Sequence, residues 1–574
     1  MVQEIRRRLT GLALLLAASG AAPAQRVIIV SFDGLGHEFL TTEPTASALP
    51  TFQKLRREGV TAAGVQPHFP STTSNSHAAL FTGAYGNVSN ITFNNLPRLP
   101  RAQHTFADRA SGFRSDQLAA EPFWVAAARQ GRRAVAHQAT QAYPFREINT
   151  HPGAVVVNGY QTRLIAGWHA ELLKPGVPAV WEAGPWRFRA TLQGGQAVVE
   201  ETSTNARAVV KGAAAERGPP RERALARRFS APLFLDHPEH PVAVYFRLFR
   251  TAKGPLLVQS PLQELGLHDG ERRNDEVVRQ LLRAEGGALG NGAAALLRRG
   301  VLNEAEYLET AELQIRQTVR HALWLNRRYQ PDLLQSYLPF PDETDHEWLG
   351  RKGPWREWAY LAIDRAAREF ARLAGPRDHL LFVSDHGMAR ITHGVNVNEA
   401  LRRAGLERQA VHLYNSVLLN TTAWSGGTVA PEARAAVLAR VQTTLAELKD
   451  PDTGERVVTA FFTPEEHGEL YGIGGPAGAD LYFDLLPGYR VVDRGAGLVL
   501  RFDAPSGSHG FDPLRRDMLA ICVGRGPRLP RGGAWPRLKG VQIAPLVTNL
   551  LGIGPPRNAR HPSPLALRPA APAR

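Results

Sequence analysis

Several short polar clusters in this chain carry side chains able to bind a cation or attack an electrophile. Asp33 lies in Ser31-Phe32-Asp33-Gly34, directly after an apolar run. Ser71-Thr72-Thr73-Ser74-Asn75-Ser76-His77 crowds hydroxyls ahead of the helix-like Ala78-Ala79-Leu80-Phe81. A helix start offers free N–H donors and a positive dipole end, which suit a phosphate oxyanion. Asp342 and His346 are four apart, so on one helical turn they share a face and reach one ion. The competing reading of that segment is a solvated acidic loop, since Glu343 and Asp345 stand between them. Asp385-His386 ends another apolar run. Neighbours on a regular strand point to opposite faces, so both can meet one ion only past the strand end, where Gly387 permits a bend. His509 is held in Gly507-Ser508-His509-Gly510. The series Asp, hydroxyl, Asp-x-x-x-His, Asp-His, His supplies six ligands and a nucleophile. Divided three and three with the hydroxyl shared, it fills two open zinc sites. Spacing alone leaves open which hydroxyl is the nucleophile.

The elements that must position these groups read as an α/β fold. Residues 26–34 form a β-branched apolar run of the buried, parallel-strand type. A helix over 49–59 stopped by glycine, a strand near 60–65, a helix over 122–129 and a strand over 133–137 follow. Residues 379–384 form another strand, and a helix is expected over about 309–329, with Ala311, Ile315, Val319 and Ala322 as its core stripe. This alternation predicts a doubly wound, mostly parallel sheet flanked by helices. Functional groups collect beyond the carboxyl ends of such strands. From 151 to 309 the texture changes. Trp186 to Leu192 alternates apolar and polar, Gln193-Gly194-Gly195 turns, and further strands are expected at 242–249 and 256–258. That stretch reads as a β-rich insertion, with Glu216 to Arg228 as a charged loop. The organisation is then 25–150 and 310–560 as two parts of one catalytic core, and 561–574 as a Pro-rich disordered tail.

Composition narrows the classes. The single cysteine, Cys522, allows no disulfide within the chain and excludes Cys-rich structural zinc. The net charge of +15 is dispersed and lacks interleaved aromatics, so no nucleic-acid polymer is expected as a partner. Arg6 to Arg8, the apolar Leu12 to Ala18 and Ala22-Pro23-Ala24 read as a signal peptide over 1–24, hence export to the periplasm or medium. No later stretch is long and apolar enough to span a bilayer in the mature chain. Oligomeric state is not legible.

As a set, the clusters resemble the nucleotide pyrophosphatase/phosphodiesterase family of the alkaline phosphatase superfamily. Phe69-Pro70, Thr73, His77, Leu80, Thr82-Gly83 and Tyr85 match its nucleophile motif in register, which selects Thr73 over Thr72. Glu121-Pro122-Phe123-Trp124, Ser384 to Met388, His509 to Pro513 and the apolar run 550–556 agree as well. The resemblance covers about 26–150 and 310–560, and skips the β-rich middle. It implies an alkaline-phosphatase-like fold and an exported hydrolase of phosphodiester or pyrophosphate bonds in small, nucleotide-like substrates. The reaction would pass through a phosphothreonine on Thr73. It also implies two divalent ions, zinc by ligand type. One is held by Asp33, Thr73, Asp385 and His386, the other by Asp342, His346 and His509. Asn94 falls where the family steadies the phosphoryl oxygen, with Asn95 its rival by one step. Asn75-Ser76 and Gly86 to Ile91 depart from the family pattern beside the substrate pocket, which bears on nucleotide preference and not on the ligands. A phosphomonoesterase or phosphonate hydrolase shares the same core. A sulfatase is disfavoured, because Cys522 lacks the proline of that motif. An exported binding protein with a vestigial site is the alternative of another class.

Overall fold

The computed structural model describes residues 26–563, apart from 271, 291, 494–496 and the side chain of Glu222. The expected signal peptide, and the expected tail from 564 onward, lie outside the described residues.

A ten-stranded sheet organises the chain. Its centre is a run of five parallel strands in the order Ala154–Asn158, Ala134–His137, Leu333–Leu338, Val27–Phe32 and His379–Val383. Cys522–Arg525 adds antiparallel on one side, and Gly266–Asp269 antiparallel on the other. Val27–Phe32 shows why the sheet is covered on both faces. Its Ile28, Val30 and Phe32 pack with helices Pro50–Glu58, Glu304–Tyr329 and Trp355–Leu373. Its Val27 and Ile29 pack with helices Thr73–Thr82, Phe123–Arg129 and Ile543–Leu550. Side chains alternate faces along a strand, so an unbroken apolar run requires two cores. The doubly wound α/β expectation holds, with helix and strand ends within a few residues of those expected.

Three features differ from the sequence reading. The long helix starts at Glu304, earlier than the apolar stripe indicates, because Asn303 and Glu306 form a capping box. Within Glu216 to Arg228, residues Glu222–Arg228 are helical, since Leu225 has a buried place beside Phe229. Within 151–309, the strands Ala154–Asn158 and Gly266–Asp269 join the central sheet. Seven further strands there build a separate sheet spanning His169–Gln259, around Trp181, Phe188, Val199 and Phe246, two short strand pairs stand apart from it, and Arg272–Arg273 extends the edge of the central sheet. A buried Arg247–Glu309 ion pair at 2.9 Å ties that sheet to the long helix.

Two smaller sheets bear on the site. Ala389–Val395 leaves His386 and pairs antiparallel with Val499–Ser508, so that Ala389 faces Ser508 and His509 is carried back to His386. A four-stranded sheet, residues 410–412, 416–419, 458–462 and 481–485, packs Leu418, Phe462 and Tyr482 against Phe69, Ala78 and Phe93. Among the described residues, no helix is long and apolar enough to cross a membrane.

Candidate metal centre

The carboxyl ends of the three central parallel strands converge. Asp33 follows Phe32, Asp385 follows Val383, and Leu338 leads through Pro339-Phe340-Pro341 into the helix Asp342–Trp348. The Asp33 N–H donates to Leu338 O at 3.0 Å, and the Asp342 N–H to Asp33 O at 3.0 Å, which sets two carboxylates side by side. Gly34 makes this approach possible. Its φ is +70°, and a Cβ there would lie 2.9 Å from that of Asp342. Its N–H donates to Asp385 Oδ1 at 3.1 Å. Gly387, expected as a bend, serves a close approach: a Cβ would stand 2.2 Å from the Asp517 carbonyl oxygen.

Three histidines close around these acids in one manner. His386 Nδ1 donates to Gly387 O at 2.9 Å, His346 Nδ1 to Gly507 O at 3.0 Å, and His509 Nδ1 to Ser71 O at 3.0 Å. A proton held at Nδ1 leaves Nε2 with a free lone pair. His386 Nε2 lies 3.1 Å from Asp385 Oδ2 and 3.5 Å from Asp33 Oδ1. His346 Nε2 is 3.3 Å from Asp342 Oδ2, and His509 Nε2 is 3.5 Å from Asp342 Oδ1. The His386 and His509 rings stack at 3.9 Å. Asp342 and His346 do lie on one helical turn. The acids between them are not a solvated loop: Asp345 is buried on Arg356 and Tyr360, and Glu343 accepts from the Gly292 N–H.

Thr73 opens the buried helix Thr73–Thr82, with its Oγ1 3.2 Å from His386 Nε2. The neighbouring hydroxyls are engaged elsewhere: Ser71 on Phe511 O, Thr72 on Asn75 Oδ1, Ser74 on Phe93 O. Asn94 reaches the same helix start, where its Oδ1 accepts from the Ser74 N–H at 2.8 Å, while Asn95 is exposed on a strand. The Ser74 N–H is thus occupied, and the Asn94 amide N–H₂ is the remaining donor at that position.

The electrostatics call for a cation. Buried Asp33 Oδ1, Asp342 Oδ1 and Asp385 Oδ2 have no hydrogen-bond partner. Burial, then the Asp385 and Asp342 carboxylates, push Asp33 well above the usual carboxylate range. Burial also opposes ionisation of Asp342, but His346 and His509 outweigh it and draw it down to about 2. Burial and His386 lower His509 to about 3, keeping it neutral as a ligand must be. Within the described residues, three donor trios each lie within 4.8 Å: Asp342, His346, His509; Asp33, Asp342, His386; and Asp33, His77, Asp385.

His77 had no assigned role in the sequence reading. Its Nδ1 lies 3.0 Å from Thr73 O and 3.3 Å from Asp385 Oδ2, and its Nε2 2.7 Å from Ser31 Oγ. The four-residue step from Thr73 was the available signal, since it places both on one helix face. Tyr337, which donates to Asp33 Oδ2 at 2.6 Å, gave none, because its whole strand is buried. Glu121 and Trp124 are packing groups, on Arg129 and the Asn149 carbonyl.

Acid and imidazole donors gathered about one hydroxyl, at the carboxyl edge of a parallel sheet, define an α/β protein of the metal-site class. The family described as type I phosphodiesterase / nucleotide pyrophosphatase matches residues 27–512, and the chain belongs to it. The human ectonucleotide pyrophosphatase/phosphodiesterase family member 7 is 31% identical over 133 residues, 21% of this chain and 28% of that protein. The solved structure of human ectonucleotide pyrophosphatase/phosphodiesterase 5 superposes with a TM-score of 0.50 at 14% identity, covering 92% of this chain and 96% of that one. An inactive variant of its murine counterpart, in complex with AMP, gives 0.51 at 13% identity over the same shares. At such identity these two establish the fold.

Proposed function

We propose that this chain is an exported two-metal hydrolase of phosphodiester or pyrophosphate bonds in nucleotide-like substrates, with Thr73 as covalent nucleophile. Family membership supports the reaction class. The observation that carries the reading is the shared posture of His346, His386 and His509, each with Nδ1 on a backbone carbonyl and Nε2 on a carboxylate, beside the Thr73 hydroxyl. Asp33, Thr73, Asp385 and His386 would hold one divalent ion, and Asp342, His346 and His509 the other; zinc suits these donors. The orphaned oxygens of Asp33, Asp342 and Asp385 fit this occupancy. When bound, such ions neutralise an anionic phosphoester, favour an alkoxide and lower the pKa of water.

The chain's own groups then do the following. Thr73 gives its proton to solvent, its Oγ bonds to phosphorus in line, and the bond to the leaving oxygen breaks with its electron pair going to that oxygen, giving phosphothreonine. Water attacks the same phosphorus, the bond to Oγ breaks, and the threonine hydroxyl is restored. Asn94 Nδ2 and the Thr73 helix start steady a non-bridging oxygen. Residues 1–24, as a cleaved signal, would place the mature enzyme in the periplasm or medium. Residues 25–150 and 310–560 would act as the catalytic core around the 151–309 insertion.

The test is zinc-dependent hydrolysis of a chromogenic phosphodiester against the matching monoester, with wild type and Thr73→Ala. A diester preference lost in Thr73→Ala, with metal content kept, supports the reading. A monoester preference moves the substrate class and keeps the centre. Full activity in Thr73→Ala, or none in the metal-loaded wild type, overturns the mechanism.

A further inference from the structure

The two acids nearest His386 share a division of labour between their oxygens. Asp385 Oδ1 accepts from the Gly34 N–H, while its Oδ2 is orphaned and lies 3.1 Å from His386 Nε2. Asp33 Oδ2 accepts from the Tyr337 hydroxyl at 2.6 Å, while its Oδ1 is orphaned and lies 3.5 Å from His386 Nε2. In each case a donor behind the acid occupies one oxygen and leaves the other aimed into the centre. Asp342 is different. Its Oδ2 meets His346 Nε2 and its Oδ1 lies near His509 Nε2, with no hydroxyl behind it among the described residues. Tyr337 is fully buried, and its ring is held edge-on by His77 at 4.9 Å and by Tyr160 at 5.7 Å. A phenol wedged this way has one orientation for its hydroxyl.

We infer that Tyr337 is a positioning residue that would make Asp33 a one-oxygen ligand of the inner ion, the one proposed for Asp33, Thr73, Asp385 and His386. The inference rests on the two-metal reading above. A carboxylate with a free pair of oxygens grips a cation with both and draws it toward itself. With Oδ2 tied to Tyr337, Oδ1 is the oxygen Asp33 would offer to an ion that Asp33, Asp385, His386 and Thr73 would hold. The Tyr337 hydroxyl donates to Asp33, through which it acts, while its ring packs on His77 and Tyr160. Outer-sphere partners of this kind typically change metal affinity or activity by about 10–100-fold when removed.

The experiment uses the full chain, stripped by chelator and titrated with zinc against a chromophoric competitor, for wild type and Tyr337→Phe. The expected result is one of the two binding steps shifted by about 10–100-fold, with the other unmoved. With cobalt in the inner site, the visible band should weaken as Asp33 adds a second oxygen and the coordination number rises. On a diester substrate kcat should fall with KM unchanged. A purely structural role predicts another pattern: lower thermal stability of the metal-free protein, with both zinc steps and the cobalt spectrum as in wild type. That pattern overturns the inference. If Tyr337→Phe does not fold, wild type carrying 3-fluorotyrosine at 337 keeps the ring and the donor. Its fluorine signal should move with one zinc equivalent only, and a signal indifferent to zinc overturns the inference. A wild type that binds no zinc fails the two-metal reading itself, a separate outcome from two normal steps in Tyr337→Phe.

Discussion

The inner donors, Asp33, Thr73, Asp385 and His386, and the outer ones, Asp342, His346 and His509, are neighbours in different surroundings. Asp33, Asp342 and His386 offer atoms within 4.8 Å of one another, so the two groups nearly touch. Yet the Asp385 and His386 side chains have 0% exposure, while His346 has 35% and Asp342 13%. The inner acids are each braced by a donor from behind, whereas the outer group hangs on one short helix and one loop. The difference teaches how one centre can do two jobs. On the proposed mechanism the sealed, braced group would fix the nucleophile, and the open group would meet solvent and the departing half of a substrate.

The sharpest test is Thr73→Ala. Turnover of a diester should fall on the order of 10³-fold or more, because the adjacent hydroxyls of Ser71, Thr72 and Ser74 are engaged elsewhere. Zinc counted by atomic emission should stay at the wild-type level, since Asp33, Asp385 and His386 remain.

Next comes graded chelation. The open outer group should release its ion first, so that zinc per chain falls in two steps and activity is lost at the first. Simultaneous release would erase the distinction between the groups.

A smaller effect is expected for Asn94→Ala, about 100-fold in kcat with little change in KM, as for other losses of an oxyanion donor. A rise in KM with kcat unchanged would mean that Asn94 binds substrate equally in its ground and transition states.

The smallest effect is a pH dependence carried by His346 of the outer group. In the metal-free protein, burial disfavours charged His346, but Asp342 outweighs it and lifts the imidazolium to about 9. A raised pKa stabilises the fold fully below the ordinary histidine value near 6.5 and loses that contribution as pH climbs through about 9. The melting temperature of the metal-free protein should decline over that window, and His346→Gln should flatten the decline. Zinc affinity of the outer group should rise over the same window, because the ion displaces that proton.

Much of this was legible in one dimension. The apolar run before Asp33 dictated a doubly covered strand, and the run before Asp385 its neighbour, because alternating side chains of a wholly apolar strand need a core on each face. The four-residue step from Asp342 to His346 set their shared helical face. Gly387 read only as a bend, and the close approaches at Gly34 and Gly387, to Asp342 and Asp517, came with folding. What the linear order could not carry were contacts between chain segments hundreds of residues apart. That His509 stacks on His386 depends on the register of Ala389 against Ser508. That Tyr337 braces Asp33, 304 positions away, depends on the pairing of two distant strands. Strand pairing and burial fix such contacts together, and a fully buried strand shows no periodicity to betray which of its side chains faces the site. The sequence by itself determined the donor types, their local spacing and the strands that end in them. Only the tertiary structure decided which lone pairs point inward, because that direction is set by the backbone carbonyls and hydroxyls that folding brings behind each ligand.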